Sequence, residues 1–238
     1  MYLATICVIS TYASIYGALV LTDFTRASAS RFVAMIHAAL MSTLTLQFLI
    51  GLNVSMRDFL NGDPSLALWS CGPNDDVACN SLIQYMYWYL IYDTLISIER
   101  GISTEIGLHH SVLIAAFAYQ QYYEIAPFFV VIMFVCEIST VFYHLRWFVK
   151  DYYPSLDVPL GGIFATLFFM TRVIFMPIML IDLAACTVKQ WSVVSEQDAN
   201  VHVIVLLCAG VAQVAINLYW FREIVRQVLN FETKPRQA

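Results

Sequence analysis

Charge is the first thing this sequence lacks. Only 12% of its 238 residues are Asp, Glu, Lys or Arg, about half the share of an ordinary soluble domain. Nowhere between the apolar segments is there room for a soluble domain. Also missing are a phosphate loop, a dinucleotide-binding glycine fingerprint, zinc-ligand spacing, a basic nucleic-acid patch, an internal repeat and the G-x-S-x-G of a nucleophile elbow. These absences argue against nucleotide, nucleic-acid and Ser–His–Asp hydrolase chemistry. The first apolar run has no basic leader and no small-residue cleavage site, so it is expected to be a retained span.

What the chain does have is hydrophobic length. Hydrophobic residues make up 60%, in segments of roughly 17 to 25 residues, enough to cross a hydrocarbon core of about 30 Å. Window hydropathy predicts seven helical spans at about 1–21, 31–51, 82–98, 105–123, 125–149, 159–183 and 200–225. The segments are too long and too evenly apolar for the alternation of a membrane β-barrel. The expected fold is therefore all-α and polytopic, with about seven transmembrane helices. Residues 1–30 form the first span and its connection, 31–229 the main transmembrane domain and 230–238 a polar tail. Most of the aromatics in "YMYWYLIY" and "YQQYYEIAPFF" suit interfacial belts.

Seven spans place Arg26, Arg31, Arg100, Arg146, Lys150, Arg222, Arg226, Lys234 and Arg236 on one side, against Arg57 and Lys189 on the other. The positive-inside rule then puts the C-terminus in the cytoplasm, or in the matrix for an inner mitochondrial membrane, and the N-terminus outside. An endoplasmic reticulum or other endomembrane location is expected, with the mitochondrial inner membrane as the alternative. On the outer side, Cys71 and Cys79 bracket the turn-rich "CGPNDDVAC". In an oxidising lumen they would close a disulfide; in a reducing compartment they would be free thiols.

Ionisable groups inside a membrane helix cost free energy unless paired or facing a cavity, so each is a functional candidate. At 1.5 Å per residue, His37, Asp93, His109, His110 and Asn217 share one layer about 10 Å below the basic face, with His144 nearer the surface. Glu137 and Arg172, near mid-membrane on consecutive antiparallel spans, are expected to form a buried ion pair. Adjacent helical residues point about 100° apart, so His109 and His110 cannot share a metal as an i, i+4 pair could, and no metal site is expected. One histidine is expected to face the cavity while the other bonds a neighbouring helix. A histidine beside Asp93 is the material of general acid–base catalysis.

The order of these residues carries a resemblance. "RFVAMIHAALMS", "YWYLIYDTL", "GLHHSV", "EISTVFYHLRWF", "FFMTRVIFMPIML" and "NLYWFREIVRQVL" follow one another over residues 31 to 229. In this the chain resembles the TLC-domain family, which includes the ceramide synthases and the translocating-chain-associating membrane protein. The resemblance implies a ring of helices around a cavity open to lipid or acyl substrates. In the synthases paired histidines serve acyl transfer from acyl-CoA, and His109 and His110 take those positions. Where synthases carry a His–Asp and a second Asp, this chain has Cys136–Glu137 and Thr140, which points away from ceramide synthesis and toward the branch linked to phospholipid balance.

The expected function is binding or modification of a membrane lipid. If the protein is catalytic, acyl transfer would use His109 or His110 as base, Asp93 to orient it, and Asn217 or Arg172 to steady a carbonyl or headgroup. His37, Asn217, Arg172, Glu137 and His144 are the expected lipid contacts. No cofactor is expected beyond a bound lipid, with acyl-CoA only for an acyltransferase. The alternative is a non-catalytic subunit of a large membrane assembly, with other membrane proteins as partners.

Overall fold

The computed structural model describes residues 2–22, 24–51, 76–189 and 199–233. Among these, seven helical stretches account for nearly every residue and no strand occurs: α1 (Tyr2–Leu21), α2 (Arg26–Gly51), α3 (Asp76–Glu99), α4 (Thr104–Tyr123), α5 (127–149), α6 (154–189) and α7 (Ala199–Thr233). Arg26–Gly51, Pro127–Val149, Pro154–Ala185 and Val201–Leu229 are each long and apolar enough to cross a membrane, and Cys7–Leu21 is a shorter apolar stretch. The protein is thus an all-helical polytopic membrane protein. α3 and α4 are less apolar because they carry Asp93, His109, His110 and Gln120, polar side chains that turn toward the interior.

Local chemistry explains where helices start and stop. α2 begins five residues before the apolar run because Thr25 caps it, its hydroxyl accepting from the Ser28 N–H at 3.1 Å. Ser103 caps α4 in the same way, accepting from Ile106 N–H. Pro154 opens α6, where a missing N–H costs nothing. α7 runs on into the expected polar tail as far as Thr233. The remainder of that tail lies outside the described residues.

Six of the seven helices form a closed ring in which neighbours pack in the order α2, α3, α4, α7, α6, α5 and back to α2. α1 stands outside it, against α2 and α3. The first half of α5 also crosses to α3, and its Phe128, Phe129, Val130, Val131 and Ile132 are all buried. They close the ring at the end opposite the basic residues. Gly210 permits the contact between α7 and α6: a β-carbon there would lie 2.5 Å from a Leu180 methyl, and small residues are what let membrane helices approach this closely. α5 and α6 thus supply the wall of the ring that faces α3 and α4.

Candidate functional site

The ring encloses a cavity of about 660 Å³, within the ~300–1,000 Å³ typical of small-molecule sites. Its lining is graded along the membrane normal. Arg31, Arg100, Ser103, Tyr143 and Glu223 stand at the basic end; Asp93, His109, His110, Glu137, Thr140 and Arg172 form the middle; Met86, Phe117, Phe129, Leu180 and Leu206 line the deep end. From Leu206 to Gln227, both on its wall, α7 advances roughly 30 Å at 1.5 Å per residue. Over that length a charged mouth and middle give way to an apolar deep end.

On one wall, α4 presents its histidines between α3 and α7. His110 Nδ1 lies 2.9 Å from Thr94 Oγ1, and the Thr94 hydroxyl donates to Leu90 O at 2.6 Å. That hydroxyl has one proton, so Thr94 accepts from His110 Nδ1–H. The other ring nitrogen, Nε2, therefore faces Asp93 Oδ2, at 3.4 Å. This is too long for a direct hydrogen bond of ordinary strength, and both residues border the cavity. His109 turns the other way: its Nδ1 pairs with the Gln213 side-chain amide of α7, and its ring packs edge-on against Trp220 at 4.9 Å. The divergence of about 100° thus sends each histidine to a different flanking helix, and both line the cavity. The division expected from the sequence, one in the cavity and one against a neighbour, is replaced by two histidines that each do both.

The opposite wall is built from two local departures from α geometry. α5 tightens into a 3₁₀ turn at Phe134–Cys136, while α6 widens into a π segment at Phe169–Phe175. The Met176 N–H reaches back five residues to Thr171 O. Pro177 supplies the cause: it offers no N–H to Val173 and crowds that carbonyl. From the π segment Arg172 crosses to α5, donating to Ser139 Oγ at 3.2 Å, Cys136 O at 3.2 Å and Thr140 Oγ1 at 3.1 Å. Glu137 Oε1 lies 3.5 Å away, and the Phe168 ring flanks the guanidinium at 5.4 Å. The expected pair is present, with its cation largely spent on α5.

The other expected residues divide. His144 lines the cavity, and its Nδ1 is buried without a hydrogen-bond partner among the described residues. His37 does not line it. It is sealed between α1, α2 and α3, with Nδ1 3.0 Å from Tyr12 Oη and its ring stacked on Tyr89 at 3.3 Å. Asn217 is fully buried between α7 and α6, donating to Met176 Sδ at 3.2 Å, and is likewise absent from the lining. Both sit at the depth expected of them but point elsewhere. Cys79 is buried; Cys71 lies outside the described residues, and so does the pairing expected of the two. Sequence reasoning passed over Gln213, Thr94, Arg31 and Arg100. Gln213 was legible as a polar residue inside an apolar span. The two arginines had served only to mark where spans end.

Residues 28–226 match the family model described as the TLC domain, a match that covers most of the ring and both walls of the cavity. The chain belongs to the TLC-domain family. No curated protein and no solved structure matches it significantly. Family membership makes this an integral membrane protein of a generally lipid-related group. The matched segment contains His109, His110, Asp93 and the Glu137–Arg172 pair, but the chemistry assigned to this TLC-domain chain has to come from the geometry of its own residues.

Proposed function

We propose that the protein receives a lipid in this cavity, with the headgroup or acyl carbonyl at the level of the histidines and the chain in the apolar well. The observation that carries the reading is the graded lining: charged groups at the mouth and middle, and methionine, phenylalanine and leucine below. In this reading the basic end faces the cytoplasm, as nine basic residues against two support, and the membrane is an endomembrane.

The reading extends to lipid modification by acyl transfer. With Nδ1–H committed to Thr94, the Nε2 of a neutral His110 keeps its lone pair, beside Asp93 on the cavity wall. A substrate hydroxyl or amine reaching Nε2 from the cavity would give it a proton while attacking the thioester carbonyl of an acyl-CoA; the C–S bond then breaks, and the imidazolium, steadied by Asp93, returns the proton to the departing thiolate. Arg172 and Glu137 take no part in this step and hold α5 to α6. The departure of Cys136–Glu137 and Thr140 from the synthase pattern argues against a sphingoid amine as the acceptor.

The test is lipid co-purification, read by mass spectrometry. Ala116 and Ala209 line the cavity, whereas Ala115 is exposed on the outer surface. Ala116→Trp and Ala209→Trp should deplete an enriched lipid that wild type and Ala115→Trp retain. An identical lipid profile in all four proteins would show that the cavity holds none.

A further inference from the structure

Charge at the cavity does not balance once its pairs are assigned. Of the charged residues lining it, Arg146 is held by Asp157 at 2.7 and 3.3 Å, Arg172 by Glu137 and Glu223 by Arg226 at 3.0 Å. Asp93 faces His110. Arg31 and Arg100 remain, and among the described residues neither has a carboxylate within ion-pair distance. The two are brought together at the mouth because Arg100 donates to Ser30 Oγ, one residue from Arg31.

Arg31 is also held in a particular pose. Its guanidinium lies over the Trp147 ring at 4.9 Å and the Tyr143 ring at 5.7 Å. Stacking uses the face of the group and leaves the in-plane N–H donors free. One of them reaches Tyr143 Oη only at 3.5 Å, the outer limit of a hydrogen bond. Among the described residues Arg31 Nε is buried with no hydrogen-bond partner, as is Nδ1 of His144, which shares the cavity wall. A buried donor left unpaired costs free energy that a bound acceptor would recover.

We infer that Arg31 and Arg100 form a phosphate-binding subsite at the cavity mouth, so that the ligand of the proposed lipid site carries a phosphate. The inference rests on that lipid reading and narrows it to phosphorylated ligands. Two guanidinium forks on adjoining helices offer more in-plane donors than a single carboxylate can accept. A phosphate group, with three acceptor oxygens and up to two negative charges, satisfies both forks. The same chemistry is offered by a phospholipid headgroup and by the phosphates of an acyl-CoA thioester.

Native mass spectrometry of the full chain in detergent separates these sources. The probes are lysophosphatidic acid, the monoacylglycerol with the same chain, the matching acyl-CoA, and inorganic phosphate as competitor. Wild type should prefer a phosphate-bearing probe to monoacylglycerol by about tenfold or more, the scale of a charge-assisted hydrogen bond. Preference for lysophosphatidic acid identifies a lipid headgroup; preference for acyl-CoA identifies the soluble carrier. Arg100→Gln, at an exposed position, should cut the preference several-fold, and adding Arg31→Gln should abolish it, with monoacylglycerol binding unchanged. Arg31→Lys guards against a folding defect, since it keeps the charge and should keep part of the preference. Arg222→Gln removes an exposed charge at the same membrane face outside the lining and should leave the preference intact. Monoacylglycerol binding with no phosphate preference, or a preference that survives the double substitution, overturns the subsite and leaves the lipid reading standing. If no acyl probe enters the wild-type cavity, both fall.

Discussion

The two walls of the cavity each carry an acid beside a nitrogen base, and they use them differently. On α5 and α6, Arg172 is 8% exposed and makes three hydrogen bonds besides its contact with Glu137. On α3 and α4, His110 makes one hydrogen bond through Nδ1 and stands 3.4 Å from Asp93 through Nε2. A group whose donors are already engaged can fasten helices but offers little to a ligand. A pair that borders the cavity without a closed hydrogen bond can exchange a proton with something that enters. Both pairs line the same cavity, and two things separate the fastener from the reagent: a guanidinium stays protonated while an imidazole can take a proton, and the donors of Arg172 are engaged while Nε2 of His110 is not.

The largest expected effect tests the fastener. Removing one partner of a buried ion pair strands a charge and costs about 3–5 kcal/mol, so Arg172→Met and Glu137→Gln should each lower stability strongly in detergent unfolding. The double variant should be less damaged than the sum of the two, because neither charge is left alone. Simple additivity would mean the 3.5 Å contact carries no coupling.

A second test compares His110 with a histidine that is buried outright. His37 is 1% exposed, stacked on Tyr89 and bonded to Tyr12. His37→Ala should open a void and cost about 2–4 kcal/mol, in the range of large core truncations, while leaving lipid binding unchanged. His110→Ala borders an existing cavity and should cost less stability. It should instead reduce acyl transfer by about 10²–10⁴-fold, the usual contribution of a general base. Equal stability losses with no change in lipid chemistry would put the two histidines in one structural class.

That pair of histidines also shows what was legible in the sequence and what was not. Apolar runs gave the seven helices, because a bilayer demands length and hydrophobicity that the chain cannot hide. Depth followed from a constant rise per residue, and so Glu137 met Arg172 and His110 met Asp93 as expected. Direction around the helix axis did not follow. His37 and Asn217 lie at the right level, yet α2 and α7 turn them toward α1 and α6. Azimuth depends on which face each neighbour covers, on small residues such as Gly210, and on the π segment before Pro177, which shifts the register of everything after it. Thr94 escaped notice for a related reason: a threonine in an apolar helix usually bonds its own backbone, and only the packing of α4 shows that this one also accepts from a histidine.

The smallest effect is the most specific test of the reagent wall. Thr94→Val keeps shape and removes the acceptor of His110 Nδ1–H, at a stability cost of about 1 kcal/mol for one hydrogen bond. Ser139→Ala, which takes one of several acceptors from Arg172, should cost a similar amount or less, so stability alone will not separate the walls. Imidazole ¹⁵N chemical shifts should. In the wild type His110 is expected as the Nδ1–H tautomer, because the Thr94 proton is committed to Leu90 O. In Thr94→Val that anchor is gone, and the proton is free to move to Nε2, where Asp93 offers an acceptor. The Nε2 lone pair would then be lost and acyl transfer should fall with it, whereas Ser139→Ala should leave both the His110 tautomer and turnover unchanged. A His110 tautomer that is the same with and without the Thr94 hydroxyl would remove Thr94 from the mechanism, and with it the argument that this wall is held ready for proton transfer.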